Sequence, residues 1–89
     1  MKNAGELQEL LQEVRGEMVG RKYRHFKGGV YEVTGIAINE YGTIGVIYRN
    51  VAENPEFLWT RTLKNFVEQL DMKEYPTAEQ IMRFQRIEE

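Results

Sequence analysis

The chain has no cysteine and no serine, and only one histidine, one tryptophan and two prolines in 89 residues. Without cysteine there is no disulfide framework, no thiol nucleophile and no thiolate-held metal. Without serine a serine-based triad is excluded. A single histidine leaves no Cys–His dyad and no metal site built mainly from histidine and cysteine. No apolar run approaches the roughly eighteen residues of a membrane helix, and no secretory leader pattern is present, so a soluble, cytoplasmic protein without a membrane partner is expected. No cofactor motif occurs, and no cofactor is expected. Lys27-Gly28-Gly29 has glycines beside a lysine but lacks the following helix of a phosphate-cradling loop.

What remains is a length and a hydrophobic fraction, 42%, suited to one small folded domain. The net charge of −2 is unevenly spread. Residues 1–20 carry two basic against four acidic side chains, residues 21–49 five against two, and residues 50–89 five against eight. The positive block is local. A weakly acidic chain makes a poor general nucleic-acid coat, because nonspecific affinity comes mostly from neutralising phosphates. A single focused basic site remains open to it.

The first 20 residues read as an amphipathic helix. Leu7, Leu10, Leu11, Val14 and Met18 recur at helical spacing, with Glu6, Glu9, Gln12 and Glu13 opposite them. Asn3 and Glu6 stand as a capping box would place them, and Gly20 is a natural stop. The leucine stripe either packs on the following domain or pairs with a second copy to form a homodimer.

From residue 22 the apolar period shortens to two. Gly28-Gly29 between Tyr23–Lys27 and Val30–Asn39 predicts a hairpin with a two-residue loop. Strict alternation along Val30–Asn39 sets Val30, Thr34, Ile36 and Ile38 on one face, with Tyr31, Val33, Gly35 and Ala37 on the other. Gly35 beside Ala37 suggests a bend in that strand. Ile44–Arg49 and Phe57–Thr62 are the next strands, and Leu63–Leu70 suits a helical turn against the core. The tail is open to two readings: Thr77-Ala78-Glu79-Gln80 favours a helix, and Met82–Ile87 a closing strand. The expected fold is mainly β: a small SH3-like barrel of about five strands over residues 21–89, preceded by the helix of residues 1–20.

Tyr23-Arg24-His25-Phe26-Lys27-Gly28, Tyr31-x-Val33-x-Gly35-x-Ala37, Val46-x-Tyr48, Leu58-Trp59-x-Arg61, Phe66 and Arg83-Phe84 together resemble the domain-of-unknown-function family 1653. This is a short domain of bacteria and phages, sometimes joined to Nudix-type hydrolases. The resemblance spans roughly residues 22–87 and implies a compact β fold without lending an activity. The chain departs from that family in four places. Asn39-Glu40-Tyr41-Gly42 stands where a His-Ser-Glu-Thr-like segment is usual, and Thr62 replaces a proline. The stretch Asp71–Gln80 is long, and the leading helix is extra.

Several side chains are candidates for a ligand site. Arg24, His25 and Lys27 can meet an anion, arginine offering a planar donor fork that lysine lacks. In a strand, Tyr23, His25 and Lys27 would share one face and Arg24 and Phe26 the other, and neither looks like an ordinary core face. Trp59 and Arg61, two apart on one strand, would let a flat ring stack while the guanidinium holds its charge. The competing reading makes Trp59 the largest core residue, with Arg61 lying over it. Tyr31 and Tyr48 are candidates for the same walls, and Arg83 for a further cation. Glu32 and Glu40 have no spacing that marks an acid–base pair. The expectation is a non-catalytic module binding an anionic small ligand, nucleotides included, or a short nucleic acid, by recognition or sequestration. The nucleotide lean follows from the resemblance and its Nudix association. The alternative is a protein–protein adaptor for an acidic or extended peptide.

Overall fold

A computed structural model describes residues 4–88. Its elements run α1 (Ala4–Met18), β1 (Lys22–His25), β2 (Val30–Ile38), β3 (Ile44–Asn50), β4 (Trp59–Thr62), α2 (Leu63–Phe66) and β5 (Phe84–Arg86). All strands pair antiparallel in one sheet of order β4-β3-β2-β1-β5. The fold is thus mainly β, five strands behind an N-terminal helix. The ladder does not close into a barrel: β4 and β5 are two free edges. They curl toward each other, and the Arg61 guanidinium of β4 lies 5.5 Å from the centre of the Phe84 ring of β5.

An isolated helix of about fifteen residues is marginal in water, so α1 depends on packing. Val14 and Met18 deliver that by joining the core, while Leu7 and Leu10 stay half-buried along a groove. Gly20, at φ +85°, turns the chain after the helix, and its N–H donates to the Val33 carbonyl at 2.8 Å. The expected cap Asn3 lies outside the described residues. Among the described residues, no helix is long and apolar enough to cross a membrane.

The β1–β2 loop is longer than a two-residue hairpin. Gly28 N–H donates to His25 C=O, and Gly28 and Gly29 both take positive φ, so the turn spans residues 26–29. Strict alternation on β2 also fails, for a local reason. The register with β3 slips between Val33 and Gly35, leaving Thr34 as an inserted residue. Val33 pairs with Tyr48 and Ile36 with Val46, so Tyr31, Val33 and Ile36 all reach the core despite their odd spacing. Glu32 and Arg49 form a cross-strand ion pair at 2.8 Å, which explains Glu32 without acid–base chemistry.

Tyr23, Val33, Val46, Tyr48, Phe66, Phe84 and Met18 form the buried cluster, with Phe66 at 1% exposure. The Tyr23 side of β1 is therefore a core face after all. Burial holds its phenol above the ordinary tyrosine pKa. Phe66 stacks on Phe84 at 4.1 Å, and Tyr23 and Tyr48 meet its ring edge-on. Thr62, which replaces the proline common in the resembled family, caps α2: its hydroxyl accepts from the Asn65 N–H at 3.1 Å. The tail is a strand, with Phe84 pairing to His25 and Arg86 to Tyr23. The Thr77–Gln80 segment forms turns, and Gln80 instead anchors it by donating to the Arg24 carbonyl.

Candidate functional site

Where the curled sheet fails to close, a pocket of about 210 Å³ is lined by His25, Tyr31, Tyr48, Trp59, Arg61 and Phe84. Each of the five strands contributes at least one of these residues. The reason is geometric. Trp59 and Arg61 pair with Tyr48 and Val46, so they sit on the inward face of an edge strand that has no further neighbour to cover it. Trp59 is consequently 58% exposed. It is not the core residue that its size would suggest.

The pocket floor is a lattice of rings: Tyr31, Tyr48 and Phe84 meet edge-to-face at 5.4–5.8 Å, and His25 stands edge-on to Phe84 at 4.9 Å. Arg61 is held rigidly above it. Its Nε donates to the Tyr48 hydroxyl at 3.0 Å and its Nη1 to Asn65 Oδ1 at 2.6 Å. Both partners are neutral. Among the described residues no carboxylate comes within ion-pair distance of Arg61, and Nη2 makes no hydrogen bond.

His25 is equally constrained. Its Nδ1 accepts the Lys27 N–H at 3.1 Å, so the ring proton of the neutral form sits on Nε2. Burial, then the cations Arg61, Arg83 and Lys27, lower the His25 pKa, which keeps the ring neutral. Nε2–H has no acceptor among the described residues.

The remaining candidates lie elsewhere. Arg24 is exposed on β1, beside a separate hollow of about 600 Å³ to which Lys27, Glu74 and Glu79 also contribute. The Lys27 ammonium packs over Phe26 and Tyr75. Arg83 lies over Phe26 and pairs with Glu68 at 3.2 Å. The structure thus unites His25, Tyr31, Tyr48, Trp59 and Arg61 around one pocket; Arg24 and Lys27 line the other hollow, which shares His25 with it, and Arg83 lines neither. Two residues of the site were missed in the sequence. Phe84 reads as an ordinary core aromatic there. Asn65 carried a usable signal: it stands four after Arg61, across the start of a capped helical turn.

An open, curled five-stranded antiparallel sheet behind an N-terminal helix, with an aromatic pocket at its gap, defines a small, mainly β domain. The chain belongs to the family described as protein of unknown function (DUF1653), which it matches over residues 21–86. The matched span holds every strand and every pocket residue, while α1 lies before it. No curated protein and no solved structure matches the chain.

Proposed function

We propose that this chain is a non-catalytic binding module whose pocket holds an anionic ligand bearing a flat ring, nucleotides among that class, and acts by recognition or sequestration. One observation carries the reading. A half-buried guanidinium, fixed by two neutral side chains and lacking a carboxylate among the described residues, faces a pocket walled by aromatic rings. A structural cation of that kind is ordinarily paired when desolvated, and an incoming anion would complete it. Exposed Trp59 supplies a stacking surface at the mouth.

The test is a thermal-shift and titration series with nucleotides and simple anions on the wild type and Arg61→Gln. A ligand of the proposed class raises the melting temperature through linkage, and the variant loses that shift. A melting temperature unmoved by every anion would sink the reading. Labelled-nucleotide turnover would replace it with an enzyme.

A second reading has its own support. The outer edge of β4 is unpaired, and Phe57 and Leu58 just before it are exposed. An extended peptide added along that edge would make the protein an adaptor. It predicts a response to a partner protein and none to small anions. A homodimer through α1 is a weaker proposal, because Val14 and Met18 are already committed to the chain's own core.

A further inference from the structure

Within the binding reading just given, the pocket's chemistry narrows the ligand further. The polar groups that line it all have hydrogens to donate. His25 offers Nε2–H, because Nδ1 is occupied by the Lys27 N–H. Arg61 offers Nη2, because Nε and Nη1 are already engaged. The Tyr48 hydroxyl accepts from Arg61 and therefore keeps its own proton free to donate. Among the described residues, no carboxylate or carboxamide side chain lines the hollow. A group with amino or ammonium hydrogens would bring donors to donors. Aromatic walls alone suit cations, but Arg61 inside the same walls opposes one.

Size limits the ligand as well. A hollow of about 210 Å³ falls below the roughly 300–1,000 Å³ of sites that enclose drug-sized ligands. It has room for a single ring with one small substituent, and not for a base, sugar and phosphate together. The ring walls and the donor set lie in the same hollow, so ring and charge must enter together.

We propose that the pocket takes a planar carboxylate carried directly on a single aromatic ring, the ring lying among Tyr31, Tyr48, Trp59 and Phe84 and the carboxylate accepting from Arg61 Nη2 and His25 Nε2. This assignment rests on the binding reading. It differs from a nucleotide mode, in which a base enters and the phosphate stays outside.

Trp59 is the chain's only tryptophan, so its fluorescence reports this pocket directly. The full-length protein is titrated with benzoate, with neutral benzamide of the same shape, with inorganic phosphate and with uridine and adenosine monophosphates. Benzoate is expected to give a saturable change in Trp59 emission, with benzamide at least roughly tenfold weaker, because only the charged acceptor strengthens the hydrogen bonds. Arg61→Gln should weaken benzoate by a similar factor with its melting temperature preserved. Should that variant unfold, Arg61→Lys serves instead, since it keeps the charge but loses the planar fork. Equal binding of benzoate and benzamide, or equal binding by wild type and variant, overturns the assignment. Arg61-dependent binding of the monophosphates without benzoate also overturns it, but leaves the wider binding reading standing. If no anion moves Trp59 emission or the melting temperature, both fall together.

Discussion

Phe66 and Trp59 are both large aromatics reaching inward from the same corner of the fold, yet one is 1% and the other 58% exposed. Around Phe66 the rings of Tyr23, Tyr48 and Phe84 pack closely, and the buried cluster described around it is made of apolar and tyrosine side chains. Around Trp59 the same kind of lattice stops at an edge strand, and its last members are Arg61 and His25. Phe84 belongs to both regions. Aromatic density therefore does not separate core from site in this molecule. An uncovered edge strand and a guanidinium held by neutral partners alone do mark the Trp59 side.

The sharpest way to test that contrast is to truncate each ring. Phe66→Ala is predicted to cost about 3–5 kcal/mol of stability, read by urea unfolding, since it opens a cavity in the sealed cluster. If it cost no more than a surface change, the division drawn here would be false. On the other side, Arg61→Gln is predicted to lower affinity for a charged ligand by about 1–3 kcal/mol. Folding should change little, because glutamine can still reach Tyr48 or Asn65.

Gly29→Ala probes the β1–β2 turn beside the Tyr31 ring. Gly29 sits at φ +88°, and a Cβ there would lie 3.2 Å from the Tyr31 ring. A left-handed conformation costs an L-residue about 1–2 kcal/mol, and the Tyr31 ring, a wall of the pocket, must also give way. Both a lower melting temperature and weaker ligand binding are expected from this one substitution. Trp59→Ala comes next, at about 0.5 kcal/mol or less in stability, as for an exposed position, with ligand binding lost. A large loss of stability would return Trp59 to the core.

Much of this was legible in the chain itself. The leading helix and the strand segments follow from period and turn residues, whereas the candidate set of Arg24, His25, Lys27, Tyr31, Tyr48, Trp59, Arg61 and Arg83 was wider than the group lining the pocket. Three features were not legible, each for a physical reason. The inserted Thr34 reverses the inward face of β2, and a bulge is decided by pairing with β3, which local alternation does not carry. Trp59 is exposed because β4 is an edge, a property of sheet order and not of the strand's own residues. Arg24 and Lys27 look like site cations beside His25. A strand alternates faces and the turn redirects Lys27, so both line the neighbouring hollow that shares His25, and neither lines the Arg61 pocket.

The smallest expected effect concerns acidity, and it tells the two regions apart without truncating a ring. His25 has a pKa below its ordinary value of 6.5, through burial and then the nearby Arg61, Arg83 and Lys27. The unfolded chain then binds more protons than the folded one below about pH 6.5, the ordinary histidine value, so this contribution to stability is full above that pH and declines as pH falls. Protonation also puts a proton on Nδ1, where the Lys27 N–H now donates, so the loop must rearrange. Melting curves from pH 8 to 5 should therefore show a decline in the wild type that is shallower in His25→Gln. A bound carboxylate offsets the cations around the ring, favouring its charged form, and should flatten the wild-type decline. If ligand leaves that slope unchanged, His25 does not face the anion, and the pocket's donor set shrinks to Arg61 and Tyr48.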